Sequence, residues 1–313
     1  AVAYGLGPTG VAGARLGGQF TAFMFLAIAL NVVLYRPKFN VDLKRWGRIL
    51  KMGLPLALPY FLGLFLLDID RWMLVALLGE DGVVQAGQYS SVVVLAYRFD
   101  LVVISFQTAV VPALVATWAE NRGAYQRLLG GASRVALLLG LPVAVGTGFI
   151  APDVMELIFG EAYIESAPVL ALIIWFVPLQ FFNRIMAASL SATEREKWVA
   201  INMGAAVVAN VAFNLVLIPD HGYMGAAYAT VGSEVLLVGM NLFVQRRDML
   251  GILASIKLFR VLGAMAAIYG LCYLLRDQHA LLIFGAAVAA YPFAIIAARC
   301  ISKAELKAIL GRD

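Results

Sequence analysis

Nine charged residues lie inside long apolar stretches of the sequence, where a charge is costly and is therefore a candidate for function. Five of them are arginines and four are acids: Arg15, Arg71, Arg98, Arg134, Arg184, Asp68, Asp70, Asp100 and Glu234. The planar guanidinium group of arginine binds pairs of phosphate oxygens. A carboxyl group can hold an arginine in place or exchange a proton. The small excess of arginine favours an anionic substrate.

Arg98 is the first candidate for substrate binding. It lies deep in an apolar stretch that begins near residue 87, too far from the ends to reach a membrane surface easily. Asp100 is two positions further on, so the two side chains point to different faces of a helix and do not neutralise each other. The alternative is a structural ion pair between Arg98 and a neighbouring helix, for instance with Asp70.

The acids divide into a predicted ion pair and candidates for ion coupling. Asp68 and Arg71 are three residues apart, which favours an ion pair on one helix face. Asp70 then needs another partner. Glu234 lies near the middle of its apolar stretch, where a carboxyl group suits proton coupling or, alternatively, packs helices through a hydrogen bond. Ion coupling is therefore assigned to Glu234, Asp70 and Asp100.

The remaining polar candidates each have a structural alternative. Asn210 and Asn214 share one helix face and suit either sugar hydroxyls or, more readily, hydrogen bonds between helices. Arg15, Arg71 and Arg184 are further substrate candidates, although Arg15 and Arg184, like Arg134, lie near enough to a loop for the side chain to extend to the membrane surface. Gln107 and Pro112 mark an expected helix break, and a break in a transporter helix often lines the cavity.

The elements that carry these residues are membrane-spanning helices. Of the 313 residues, 62% are apolar and only 14% are charged, too few charges to cover a soluble domain of this length. The apolar residues form blocks, most of them longer than the ~20 residues that cross a bilayer. The sequence predicts an all-α polytopic bundle with nine crossings. They cover roughly 11–35, 52–78, 87–117, 128–150, 166–190, 198–218, 222–245, 258–275 and 280–299.

Basic residues are confined to alternate loops. Loops 36–51, 118–127, 191–197 and 246–260 and the tail from 299 carry 18 of the 24 lysines and arginines, while the opposite loops carry only Arg276 and eight acids. The positive-inside rule places the basic loops in the cytoplasm. Residue 1 is then outside and the C-terminus is cytoplasmic. Tryptophans near helix ends, among them Trp198, are expected to anchor the chain at the membrane surface.

Several kinds of site are not expected. The only histidines, His221 and His279, fall in short loops, and Cys272 and Cys300 match no metal or redox spacing. No metal and no cofactor is therefore predicted. The net charge of +5 follows from the basic loops, so no nucleic-acid partner is expected. The longest outer loop, 151–165, has no histidine, which argues against a membrane enzyme.

A short element occurs twice with the same context. Gly10-Val-Ala-Gly13-Ala14 and Gly222-Tyr-Met-Gly225-Ala226 each follow a turn and precede an apolar stretch and then basic residues. Six crossings separate the two elements, so the repeat is parallel, as in the halves of many transporters. If each half has six helices, the first crossing is the sixth of its half, and about five helices are expected to precede residue 1.

The stretch from Asn210 to Glu234, with Pro219, Gly222 and Gly225 inside it, resembles the late-helix signature of polysaccharide-export flippases. These belong to the multidrug, oligosaccharidyl-lipid and polysaccharide exporter superfamily. Further similarity lies in 53–55, 70–74, 86–90 and 159–168. The resemblance covers about 44–247, and it implies two six-helix bundles around a cavity, with 12 to 14 helices in all.

The resemblance implies a flippase of the bacterial inner membrane that moves an undecaprenyl-diphosphate-linked oligosaccharide repeat unit to the outer leaflet by alternating access. Membrane lipids and other polysaccharide biosynthesis and export proteins are the expected partners. The alternatives are a drug or cation antiporter of the same superfamily and a flippase for the peptidoglycan-precursor lipid. The expected organisation is 1–43, the last helix of the N-terminal bundle and a linker; 44–250, the C-terminal bundle; and 251–313, an extra helix pair and tail.

Overall fold

The computed structural model describes residues 7–34 and 42–300, and this part of the chain is almost entirely helical. A π-helical turn, Leu30–Leu34, follows α1, and a 3₁₀ helix, Glu161–Ser166, follows α5. The α-helices are α1 (Gly7–Ala29), α2 (Leu43–Leu78), α3 (Glu80–Tyr97), α4 (Asp100–Glu120), α5 (Arg122–Phe159), α6 (Ala167–Ile173), α7 (Phe176–Ala192), α8 (Glu196–Val244), α9 (Met249–Ile256), α10 (Leu258–Leu274) and α11 (Ala280–Ala297).

Helices are the expected solution for such apolar segments, because in a bilayer every backbone N–H and C=O group must be bonded within the segment. Among the described residues, 7 helices are long and apolar enough to cross a membrane, or up to 8 if a bent pair within α2 is one span. The fold class, a polytopic helical membrane bundle, is thereby confirmed. Nine crossings remains a prediction, because α8 is counted once although it holds two antiparallel arms.

The chain divides into two compact units, Ala1–Met52 and Gly53–Asp313. Within the first unit, α1 runs into the π-helical turn, and its described side chains are almost all exposed. Leu16, Phe20, Phe23 and Phe25 are among these exposed apolar residues. A helix with apolar residues on all sides is typical of a membrane span.

The second unit is built around the long helix α5, which packs against α4, α6, α7, α9, α10 and α11. Asn121 caps its N-terminus by accepting a hydrogen bond from the backbone N–H of Ala124 at 3.0 Å. Leu129 on α5 and Phe181 on α7 are fully buried in the main core. Small residues permit the closest contact: a Cβ added at Gly140 of α5 would lie 2.6 Å from the Cα of Pro178 on α7.

Helix α8 reverses direction at Gly222, which has φ 55° and ψ −136°. Glycine suits this turn because a positive φ strains residues that carry a Cβ. The reversal is evident from Asn202, whose side-chain amide donates to Oδ1 of Asn241 at 2.8 Å, although 39 residues separate the two. The two arms, before and after Gly222, therefore lie side by side, as the two sequence stretches 198–218 and 222–245 predict.

The apolar stretch 87–117 is interrupted at Arg98 and Phe99, between α3 and α4, although both residues keep right-handed helical φ and ψ angles. We call this local interruption the α3–α4 break. The backbone N–H groups of these two residues bond three residues back, to Leu95 and Ala96, at 3.3 and 3.4 Å. The prediction of a break at Gln107 and Pro112 is wrong, since α4 is continuous from Asp100 to Glu120 with Pro112 inside it. The break instead places Arg98 and Asp100 at the junction of two helices.

Candidate functional site

Asp70 is the centre of a buried polar cluster. Its side chain comes from α2 and is 3% exposed. Its carboxylate accepts hydrogen bonds from Tyr89 of α3 at 2.7 Å, Thr230 of the second arm of α8 at 2.5 Å, and Asn214 of the first arm at 2.6 Å. The three donors thus come from segments of the chain that lie far from Asp70 in sequence.

The cluster is closed by bonds among its neutral members. The Tyr89 and Thr230 hydroxyls lie 2.9 Å apart, and Asn214 also donates to Oδ1 of Asn210 at 3.0 Å. Asn214 Oδ1 and Asn210 Nδ2 are buried and have no hydrogen-bond partner among the residues described. Over the same residues, no lysine or arginine forms an ion pair with Asp70. The alternative pairing of Arg98 with Asp70 is therefore wrong.

This arrangement suits one positive charge. A lone buried carboxylate surrounded by hydroxyl and amide groups can be neutralised by a proton, or by a monovalent cation that takes oxygen ligands. A divalent cation would need more charge compensation. Within 7–34 and 42–300, no group of three or more His, Cys, Asp and Glu side chains could hold a metal ion.

Glu234 is the second buried acid, one turn of helix beyond Thr230. It is 6% exposed, and Asn183 of α7 donates to its Oε2 at 2.7 Å. Asn241 donates to Oδ1 of Asn183 at 3.1 Å, and Asn202 donates to Asn241. Glu234 thus ends a chain of three asparagines that joins α7 to both arms of α8.

Arg98, Asp100 and Arg184 form the polar region at the α3–α4 break. Arg98 is exposed and makes no ion pair among the described residues. Arg184 of α7 donates to both carboxylate oxygens of Asp100 at 2.9 and 3.1 Å. The side chains of this pair are 35% and 31% exposed, so the pair is reachable from outside the core.

The other charged candidates are placed as follows. Arg71 pairs with Asp68 at 2.5 Å, the ion pair that their spacing predicts. Arg15 is exposed on α1 in the first unit. The expectation that Arg134 extends to the membrane surface is wrong, because its side chain is 5% exposed and donates to the backbone carbonyl of Ser255 in α9 at 3.1 Å. Arg184 likewise turns to Asp100.

Asn210 and Asn214 are fully buried and bonded to each other, and Asn214 is also bonded to Asp70. Their contacts agree with hydrogen bonding between helices, which the sequence favours over contact with sugar hydroxyls. These amides thus share one cluster with a candidate ion-coupling residue. From the sequence alone, these two asparagines are candidates for substrate binding, whereas Asp70 is a candidate for ion coupling.

Several members of the polar network are missing from the sequence-based candidates. They include Tyr89, Asn183, Thr230, Asn241 and Gln245. The sequence does contain a pattern that includes three of them. Thr230, the candidate Glu234, Asn241 and Gln245 recur at intervals of four and seven residues along one apolar arm, the spacing of a single helix face. Tyr89 and Asn183 carry no such signal, because their role depends on the packing of α3 and α7.

A further polar contact lies outside the candidate spans. Asp248 accepts a hydrogen bond from Gln126 at 2.9 Å, and Arg122 pairs with it at 3.3 Å. Burial by itself would raise the pKa of Asp248. The hydrogen bonds from Gln126 and Arg122 and the charges of Arg122 and Arg195 outweigh burial and lower that pKa from its usual value. This contact fixes the loop after α8 to the start of α5.

Comparison with known proteins agrees with this architecture. A family model described as "Lipid II flippase MurJ" matches residues 9–291. A solved structure titled "Lipid II flippase MurJ, inward closed conformation" is similar at a TM-score of 0.61 with 17% sequence identity, over 88% of this chain. The chain spans 60% of the length of that structure. No curated protein sequence matches the chain.

The family match covers most of the chain, whereas the structural similarity, at this identity, supports the fold. Together they confirm a multi-pass helical membrane protein. They favour the peptidoglycan-precursor alternative over the polysaccharide-export branch named from the sequence. The chain belongs to the lipid II flippase MurJ family.

Proposed function

We propose that this protein moves a polyprenyl-diphosphate-linked peptidoglycan precursor of the lipid II class between the leaflets of the bacterial inner membrane. Membership of the family supports the substrate class. The sequence supports alternating access, in which segments 1–43, 44–250 and 251–313 are the end of one bundle, the second bundle and an extra helix pair. The basic loops support an orientation with residue 1 outside and the C-terminus in the cytoplasm.

Arg98 is the proposed contact to the diphosphate. The observation that carries this assignment is its exposed guanidinium group at the α3–α4 break, without an ion pair among the residues described. A free arginine at the end of a helix can bind two phosphate oxygens at once. Arg71, by contrast, is already engaged by Asp68 and is a weaker candidate.

Arg184 is the proposed second contact. Its half-exposed pair with Asp100 can open when a stronger anion arrives, since a diphosphate carries more charge than one carboxylate. Asp100 then holds Arg184 in position while the site is empty, which is a different role from ion coupling. Arg15, exposed on α1, is a further candidate for contact with the anionic part of the substrate.

Asp70 is the proposed ion-coupling residue, and Glu234 is the second candidate. Asp70 has only neutral partners among the described residues, so binding of a proton or a monovalent cation would remove an uncompensated buried charge. Because α2, α3 and both arms of α8 meet at this carboxylate, its occupancy would bias how those helices pack. Asn210 and Asn214 serve this cluster rather than the sugars.

Two other substrates remain as outcomes of experiment. An oligosaccharide repeat unit carries the same polyprenyl diphosphate and would use Arg98 in the same way. A cationic drug would not, since it gains nothing from an exposed arginine. The exposed Arg98 therefore favours a lipid-linked anion over a cationic substrate.

The test is translocation of fluorescent lipid II across the bilayer of proteoliposomes, comparing the protein with its Arg98→Ala and Arg98→Lys variants. We expect Arg98→Ala to reduce the initial rate about 10- to 100-fold, the factor given by the loss of hydrogen bonds to a charged group. Arg98→Lys should recover part of the rate, because lysine keeps the charge and loses the paired geometry.

Arg276→Ala is the matched control. Arg276 is also an exposed arginine at the end of a helix, and it stacks on Tyr273 at 4.5 Å, far along the chain from the proposed site. Its loss should leave the rate unchanged. An Arg98→Ala rate equal to that of Arg276→Ala would remove Arg98 from the substrate path. Transport of a lipid-linked oligosaccharide in preference to lipid II would reassign the substrate.

A further inference from the structure

A groove of about 490 Å³ opens between the two arms of α8, at the end opposite the Gly222 turn. Its lining comes from both arms. The residues are Trp198, Ile201, Asn202, Val235, Leu236, Gly239, Met240, Phe243 and Val244. Its volume falls within the ~300–1,000 Å³ of typical ligand sites. Apart from Asn202, whose amide is bonded to Asn241, these side chains offer only apolar contacts and the indole N–H.

The width of the groove has a local cause. Gly239 has no side chain, and a Cβ added there would meet no atom within 4 Å. Trp198 forms one exposed wall, and Phe243 forms another. The two arms therefore leave an open apolar groove between them, which can take a hydrocarbon chain.

Positive charge is concentrated where the groove ends. The guanidinium carbon of Arg246 lies above the Phe243 ring, 4.7 Å from the ring centroid, so a lining residue and a cation are in contact. Lys197 precedes Trp198 and is exposed, as is Arg247. Among the described residues, none of these three cations forms an ion pair.

The nearby acids do not cancel this charge. Two acids, Glu194 and Glu196, lie next to the groove beside four cations, Arg195, Lys197, Arg246 and Arg247, which leaves two positive charges in excess. Asp248 is turned away, because Arg122 and Gln126 hold its carboxylate. An apolar groove that ends in uncompensated cations is complementary to an anionic amphiphile with one acyl chain in the groove.

We propose that the α8 groove binds an anionic phospholipid, with an acyl chain between Trp198 and Gly239 and the phosphate beside Lys197 and Arg246. The site lies on α8 and uses neither Arg98 nor Asp70. It shares only Asn202 with the chain of asparagines that ends at Glu234, and lipid binding is measured without transport.

The test uses quenching of tryptophan fluorescence by lipids with brominated acyl chains. The protein is placed in phosphatidylcholine vesicles that contain a minor, equal fraction of brominated phosphatidylglycerol or brominated phosphatidylcholine. The signal of Trp198 is taken as the difference between the protein and its Trp198→Phe variant. We expect phosphatidylglycerol to quench this signal at least about fivefold more effectively, the preference that about one basic residue gives at an anionic lipid.

Gly239→Leu should fill the groove without a clash and abolish the preference. Gly285→Leu is the matched control: Gly285 is also exposed in a helix with no atom within 4 Å of an added Cβ, and its substitution should leave the preference intact. Lys197→Gln combined with Arg246→Gln should lower quenching by phosphatidylglycerol to the level of phosphatidylcholine. Equal quenching by both lipids in the unmodified protein, or an unchanged preference in Gly239→Leu, would overturn the proposal.

Discussion

The Asp70 cluster and the α3–α4 break contain the same kinds of charged residue in opposite settings. Asp70 is buried, and its partners are two hydroxyls and an amide. At the break, Arg98 is exposed, and the Asp100–Arg184 pair is half-exposed. The closed cluster is the setting that the proposal assigns to a small ion, and the exposed break is the one that it assigns to a bulky diphosphate.

The comparison shows that the partners of a charged side chain indicate its role better than its position within a span does. Asp70 and Arg71 are neighbours in sequence, yet one is buried among neutral groups and the other pairs with Asp68. Because a helix turns about 100° per residue, adjacent residues enter different environments. Adjacent residues of α2 therefore have different partners.

The largest expected effect on stability concerns the buried Asp70 cluster. Asp70→Ala should destabilise the protein by about 3 kcal/mol or more, because it leaves the Tyr89, Thr230 and Asn214 donors without their acceptor at ~1–3 kcal/mol for each unpaired group. Asp70→Asn keeps an acceptor oxygen and should lose less. Thermal unfolding in detergent measures both. Equal stability of Asp70→Ala and the unmodified protein would show that the cluster is already open to water.

The Glu234 chain of asparagines provides the next effect. Asn183→Ala removes the donor to Glu234 and the acceptor for Asn241, and we expect a loss of about 2 kcal/mol. The double variant Asn183→Ala with Glu234→Gln should be less destabilised than the sum of the single variants, because the two residues are in contact. Additive losses would mean that the bond contributes nothing.

Asp248 gives a smaller effect with a defined pH dependence. Its pKa is lowered in the folded protein by the Gln126 and Arg122 contacts against the effect of burial. Stabilisation from this carboxylate is therefore present above the unfolded-state pKa and is lost as the pH falls through the lower, folded-state pKa.

Asp248→Asn should consequently lower the melting temperature at neutral pH and leave it almost unchanged in strong acid, with a difference of about 1 kcal/mol at neutral pH. Melting curves in detergent at a series of acidic and neutral pH values measure this. Asp277→Asn is the control, because Asp277 is an exposed acid whose contact with Arg276 is long, at 3.8 Å. A pH-independent difference for Asp248→Asn would assign its role to shape rather than charge.

The smallest effect on stability is expected at the exposed Arg98. Arg98→Ala should change the free energy of unfolding by no more than about 0.5 kcal/mol, as for surface positions without partners. Its effect is expected on transport instead. A large loss of stability would show that Arg98 has a structural partner and would remove the contrast with Asp70.

Much of the fold follows from the sequence. The apolar blocks, the turn before Gly222 and the Asp68–Arg71 pair are local features, and each is set by composition or by spacing along one helix. The break at Arg98 and Phe99 carries no proline or glycine and was not predictable. Pro112 does not break α4, because a proline inside a membrane helix can be accommodated when neighbouring groups satisfy the freed carbonyl.

The candidate sites follow only in part. The sequence identifies Asp70, Glu234, Arg98 and Arg184 as unusual because charges are rare in apolar spans. It does not identify which partner each one has. Tyr89 and Asn183 join Asp70 and Glu234 through contacts between helices distant in sequence, and Arg134 reaches Ser255 across the α5–α9 contact. Such pairings depend on three-dimensional packing, and the spacing of residues within one helix carries no information about that packing.

The most direct test of the division between substrate and ion sites is lipid II translocation in proteoliposomes with and without an imposed proton or sodium gradient. The account predicts that Arg98→Ala lowers the rate about 10- to 100-fold under every gradient. It predicts that Asp70→Asn lowers the rate only where a gradient accelerates the unmodified protein, and that it abolishes that acceleration. An Asp70→Asn protein that still responds fully to the gradient would contradict the account.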